Sequence, residues 1–211
     1  MRPFLLIPTL AGGLLLASCA TISQEACLKG DWASVCFKDG EAGHPQSRLD
    51  EHAKACAKTG VAPDPAPYFA ARAQGLKLYC TPGRGFYEGR LGNAYAEVCP
   101  EGTEHGFLTA YADGKLVHAA AARLSQADSD RSTADRRAEK RDREARGVED
   151  ELRNPELNDE QKRELRDRLN RLRSEHRAAI EDGRRADWAR RDAERDVDDL
   201  EHRFRPTYGG W

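Results

Sequence analysis

The sequence predicts a mainly α protein: a small disulfide-stapled helical domain followed by a long charged antiparallel helical hairpin of the coiled-coil type. Three observations predict it. All six cysteines lie within the first 120 of the 211 residues. Residues 121–211 carry 23 basic and 24 acidic side chains, whereas the first 120 carry only 11 and 12. In that charged half, alanine and leucine recur at three- and four-residue spacing, the signature of a helix with one apolar seam. The formal net charge is −2, so no net field attracts nucleic acid, and no nucleic-acid partner is expected.

The N-terminus reads as an address. Arg2 is a positive start, Phe4 to Leu16 is apolar apart from Thr9 and small residues, and Leu16-Ala17-Ser18-Cys19 closes the run. The apolar stretch is about thirteen residues, short of the roughly 20 a membrane-spanning helix needs. The tetrapeptide resembles the lipobox of bacterial lipoproteins. Residues 1–18 are therefore expected to be a lipoprotein signal peptide and residues 19–26 a lipidated N-terminus and linker, with Cys19 carrying the acyl chains. Alanine at position 20, instead of the aspartate that retains such proteins at the inner membrane, implies the periplasmic face of the outer membrane.

Residues 27–118 are expected to form the cysteine-rich helical domain. With Cys19 lipidated, Cys27, Cys36, Cys56, Cys80 and Cys99 remain in an oxidising compartment, where cysteines pair. Five is odd, so one thiol is left over, and Cys36 is the expected free one. Cys27, Cys56, Cys80 and Cys99 are the disulfide candidates, in any of three connectivities.

Local signals order this region. Gly30-Asp31 caps a helix over 31–39, stopped at Asp39-Gly40. A second helix opens at Ser47 or Asp50, presents Leu49, Ala53, Cys56 and Ala57 on one face, and ends at Gly60. After Asp64, the repeat of Tyr68, Ala71, Leu76 and Tyr79 predicts a third helix reaching Cys80. From Gly83 to Pro100, Gly83, Gly85, Gly89 and Gly92 predict a tight loop, with short strands at Phe86-Tyr87 and Ala94 to Val98.

Cys27, Asp31-Trp32, Asp39-Gly40, His52, Cys56, Tyr68, Arg72, Gly75-Leu76, Tyr79-Cys80, Gly85, Gly89, Cys99-Pro100, Phe107 and Gly114 carry a further signal. In this pattern, over residues about 24–124, the chain resembles the DUF2799 family of bacterial lipoproteins. The resemblance implies an envelope lipoprotein and brings no activity, ligand or catalytic residue. This chain departs from the family at Cys36, where a small residue is usual, which again singles out Cys36 as the odd thiol.

Residues 119–205 are expected to be the hairpin and 206–211 a loose tail. Asn154-Pro155 breaks the helix, and Asn158 or Asp159 starts the next. A short loop makes the two helices antiparallel, pairing Val148 with Leu169, Ala145 with Leu172, Ala138 with Ala179 and Ala134 with Gly183. Arg131, Arg141, His176 and Arg190 interrupt the seams. The Val197, Leu200 and Phe204 end of the longer second helix must pack elsewhere, on the cysteine domain or on another chain, and the heptads alone leave an oligomeric coiled coil open. Because acids and bases interleave, the arginines read as a solvated surface.

Catalytic chemistry is not expected. Asp31, Asp39 and Glu88 are the candidate acid–base carboxylates in the folded domain, and Asp31 sits where a helix cap belongs. Cys36 with His52 is the one thiol–imidazole combination a nucleophile would use. No ligand spacing suggests zinc, so no metal or other cofactor is expected. In a domain so short of large apolar residues Trp32 and Tyr68 are expected in the core; the alternative makes them the binding aromatics of a peptidoglycan or small-ligand module. The leading expectation is a non-enzymatic envelope lipoprotein, held to the membrane by lipid and meeting an envelope protein or a second copy of itself through the hairpin.

Overall fold

Every regular element among the described residues of the computed structural model, residues 22–210, is helical. The expected signal peptide and Cys19 lie outside the described residues. The helices are α1 (Gln24–Lys29), α2 (Trp32–Glu41), α3 (Arg48–Cys56) with a 3-10 turn at Ala57–Thr59, α4 (Pro65–Tyr79), α5 (Pro82–Leu91), α6 (Glu101–Glu151) and α7 (Asp159–Tyr208). The chain divides into two compact units at Leu76 and Lys77, so the last turn of α4 belongs to the second.

In the first unit the helix boundaries follow cap chemistry. The Ser23 hydroxyl accepts from the Ala26 amide at 3.2 Å and starts α1, and Gly30, at φ 67°, ends it. Asp31 Oδ1 accepts from the Ser34 amide at 3.2 Å and starts α2. Asp39-Gly40 does not stop that helix, which runs on to Glu41. Gly40 is instead a crossing point. A Cβ there would stand 2.1 Å from the Arg72 carbonyl oxygen, and one on Gly75 would stand 2.1 Å from that of Phe37, so two glycines let the α2 and α4 backbones touch. The Cys27–Cys56 disulfide ties α1 to the end of α3, and Ile22, Trp32 and Val35 pack around it. Closing about thirty residues, it stabilises the fold by roughly 3 kcal/mol through the unfolded chain.

The second unit corrects the expected loop and strands. Residues 82–91 form α5, opened by the Thr81 hydroxyl on the Arg84 amide with Pro82 in the first turn, and closed by Gly92 at φ 75°. Residues 94–98 are irregular, with no strand. Three glycines inside α5, Gly83, Gly85 and Gly89, lower helix propensity by about 1 kcal/mol each relative to alanine, yet packing wins because two of them face α6. A Cβ on Gly85 would lie 2.3 Å from the Phe107 carbonyl oxygen, on Gly89 2.1 Å from that of Tyr111, and on Gly114 2.2 Å from that of Phe86. The Cys80–Cys99 disulfide spans α5 and locks the entry to α6. Around it Tyr79 stacks on Phe107 with ring centroids 5.1 Å apart, and Tyr95 lies 4.8 Å from the same ring.

The expected boundary at residue 118 falls inside one uninterrupted helix, since α6 starts at Glu101 and continues to Glu151. With 51 residues it is about 76 Å long, and α7, with 50, nearly matches it. Asn158 caps α7 in a reciprocal box with Gln161. The two helices form the antiparallel hairpin within one chain. Ala145, Val148, Leu169 and Leu172 make one core cluster, and a Cβ added to Gly183 would lie 3.7 Å from the Ala134 methyl, in the register that the seams predict. The arginines that interrupt the seams pair across it: Arg131 with Asp187 at 2.9 Å, Arg141 with Glu175 at 2.7 Å, and Arg190 with Asp128 at 2.8 Å.

The far end of α7 packs where α5 meets α6. Phe204 is buried with Phe86, Ala110 and Val117. The expected loose tail is corrected here as well, because α7 stays helical past Pro206 to Tyr208. The Tyr208 ring stacks on Phe86 at 4.2 Å, and its hydroxyl donates to Asp113 at 2.8 Å. Pro206 removes an amide donor from the last turn, and the burial of Phe204 and the contacts of Tyr208 oppose that cost.

Candidate functional site

The chemistry-bearing side chains of the first unit converge on one buried carboxylate. Asp39 on α2 is 6 % exposed, His52 on α3 is 1 % exposed, and Tyr68 on α4 is fully buried. Asp39 Oδ2 lies 2.7 Å from His52 Nε2 and accepts from the Tyr68 hydroxyl at 3.0 Å. One turn on from Tyr68, the buried Arg72 donates from Nε and Nη2 to the His44 carbonyl oxygen at 3.1 and 2.5 Å, fastening the α2–α3 loop to α4. Charged and polar groups taken out of water at this depth persist only when partnered. The cluster thus ties three short helices together at a point where their apolar residues are few.

Cys36, one turn before Asp39, is the free thiol, and it is fully buried. Burial, and then the nearby Asp39 carboxylate, push its pKa from an ordinary 9.0 to about 11. A thiol held protonated is a poor nucleophile. His52 turns Nε2 to Asp39 at 2.7 Å, and the thiol that an imidazole would have to activate is held protonated. The raised pKa has a sign that can be tested. Below pH 9 folded and unfolded chains both keep the proton. Between about pH 9 and 11 the unfolded chain loses it first, so stability falls as pH rises through that window. Denaturant titrations at pH 8 and pH 10 are expected to show a smaller drop in stability for Cys36→Ala than for the parent.

The remaining sequence candidates are placed as follows. Asp31 caps α2. Glu88 on α5 is buried between Arg84 at 2.7 Å and the Asn93 amide at 2.6 Å, where it secures the turn after α5. Tyr68 lies inside the unit with its hydroxyl on Asp39, so it lines no surface pocket. Trp32 is half-buried against the Cys27–Cys56 bridge, and no ring contact joins it to Tyr68. Cys27, Cys56, Cys80 and Cys99 are the bridged cysteines, in the pairs first with second and third with fourth. The sequence reading missed the role of Asp39 as the shared acceptor. A signal was present: a carboxylate one turn after a buried cysteine lies on the inward face of its helix.

Among the described residues no group of three or more His, Cys, Asp or Glu side chains is placed to hold a metal ion. None of the described helices is long and apolar enough to cross a membrane. Larger grooves follow the hairpin, one of them near its tip between Glu151, Leu157, Leu165 and Arg168. They are shallow and lined by the ion pairs of the two helices.

By fold, the described residues define a helical protein with two disulfides and a long charged helical hairpin. Residues 31–116 match the sequence profile of the family described as "Protein of unknown function (DUF2799)", from the start of α2 to the fifth turn of α6. The chain is similar to that family over these residues, which include all of the Asp39 cluster and both crossing glycine sets. No curated protein and no solved structure matches the chain.

Proposed function

We propose that this chain is a non-enzymatic lipoprotein of the bacterial cell envelope, anchored through Cys19 at the periplasmic face of the outer membrane, with the hairpin acting as a spacer or docking surface. The observation that carries the proposal is Leu16-Ala17-Ser18-Cys19 after an apolar run, with Ala20 behind it. Two disulfides and one fully buried thiol fit an oxidising compartment, where an exposed odd cysteine would be a liability. The reading also agrees with an interior whose ionisable groups are partnered to hold helices together. A hairpin about 75 Å long extends any contact it makes far beyond its own helix ends.

Metabolic palmitate labelling tests the anchor. The wild-type chain is expected to take up label and to accumulate as precursor when lipoprotein signal peptidase is inhibited, and Cys19→Ala is expected to lose both behaviours. An unlabelled wild-type chain that is processed elsewhere overturns the proposal. In-cell crosslinking followed by mass spectrometry then distinguishes a second copy from an envelope partner at the hairpin.

A further inference from the structure

The charge of α7 is balanced in sequence and unbalanced in space. The helix contains fourteen arginines and lysines against fourteen aspartates and glutamates. Its seam faces α6 through Leu169, Ala179, Ala186 and Ala193, all buried. At 100° per residue, the opposite face is centred on Trp188. Between Arg163 and Arg195, the residues within about 60° of that centre include eight arginines and only three acids, Asp167, Glu181 and Asp192. The other acids are turned towards the flanks and α6, where four of them pair across the hairpin: Glu175 with Arg141, Asp182 with Arg137, Asp187 with Arg131 and Asp196 with Arg123. Eight arginines against three acids leave five more positive than negative charges in the row, and two of the eight, Arg173 and Arg185, are paired with Glu149 of α6 and with Asp182.

These arginines are exposed, and among the described residues Arg163, Arg166, Arg177 and Arg191 make no ion pair at all. Trp188, in the same row, is 69 % exposed, the highest value of any large apolar side chain described, and the Arg191 guanidinium covers its ring at 5.0 Å from the centroid. An aromatic ring with no apolar partner, flanked by cations, is suited to a boundary between water and hydrocarbon.

We propose that the outward face of α7 lies on the surface of a bilayer rich in anionic phospholipid, with arginines on the phosphates and Trp188 at headgroup depth. Charge complementarity chooses the occupant. The row runs straight for about 48 Å, so a flat surface meets all of it at once. Trp188 is the single aromatic in the row, too few for a groove that stacks successive bases, which separates this face from one built for single-stranded nucleic acid. The inference adds a second membrane contact to the lipid-anchored reading and rests on that reading only for the setting. Removing the anchor lets the two fail separately.

The test uses the chain from Ala20 to Trp211, which retains every described element and lacks Cys19, with its disulfides formed. Co-sedimentation is measured with vesicles of phosphatidylcholine alone and of phosphatidylcholine with roughly 30 % phosphatidylglycerol. Binding to the anionic vesicles is expected to be at least about tenfold tighter and to be lost near 0.5 M salt. The triple variant Arg163→Glu, Arg166→Glu, Arg177→Glu is expected to lose that preference. A control with the same change of net charge, Lys29→Glu, Lys54→Glu, Lys58→Glu, is expected to keep it, with circular dichroism confirming unchanged helix in both. The blue shift of tryptophan emission on binding is expected to shrink in Trp188→Phe. Equal binding to the two vesicle types, equal effects of the two triple variants, or an oligonucleotide bound as tightly as the anionic vesicles and released by the same three reversals would each overturn the proposal.

Discussion

Gly114→Ala is expected to destabilise the second unit by about 3 kcal/mol or more, although alanine is the better helix former. The new methyl would lie 2.2 Å from the Phe86 carbonyl oxygen and 2.7 Å from the Arg90 amide nitrogen. Both are backbone atoms, so no rotamer change relieves the clash and α5 has to move away from α6. That movement opens the contact between Phe86, Phe204 and Tyr208, and the end of α7 loses its seat. The matched comparison is Gly147→Ala on the same helix, where nothing lies within 4 Å of the new methyl. There the sign reverses, and a gain of roughly 0.5 to 1 kcal/mol is expected from propensity alone. Denaturant unfolding followed by circular dichroism reads both, and two changes of the same sign would refute the close-approach account.

The second large effect is at the buried carboxylate. Asp39→Ala leaves His52 and the Tyr68 hydroxyl facing a gap that neither can fill, and a cost of about 3 to 5 kcal/mol is expected. Tyr68→Phe removes one neutral donor and leaves His52 in place, so its cost is expected near 1 kcal/mol. In a double-mutant cycle the two changes are expected to be strongly non-additive, since both remove the same hydrogen bond. An Asp39→Ala chain as stable as the parent would mean that the cluster does not hold α2, α3 and α4 together.

The difference between these two sites shows what can be read from a chain and what cannot. Cap residues, helix breaks and seams are local, and Asp31, Asn158 and the alanine row of α6 declare themselves by spacing. The glycines of α5 did not. Propensity counts each as a helix breaker, but the term that decides is contact between two backbones, which appears only once the α6 partner is in place. Likewise the expected break near residue 118 rested on a change of composition. A helix does not end where composition changes, and residues 101–151 contain no proline, while the Asp113-Gly114 step stays helical because Gly114 lies against the α5 backbone. The sequence leaves Tyr68 either in the core or lining a pocket, because the carboxylate that draws it inward lies on another helix, 29 residues away.

By itself, the amino-acid order determined the helical class, the four bridging cysteines with Cys36 left over, and the antiparallel register of the hairpin, because each depends on residue type and short-range spacing. Tertiary structure alone decided which cysteines pair, that Gly85, Gly89 and Gly114 sit at one helix crossing, that Asp39 gathers His52 and Tyr68, and that the arginines of α7 turn outward while many of its acids turn towards α6. The physical reason is common to all four: each is set by atoms far apart along the chain that reach contact distance only when whole helices pack.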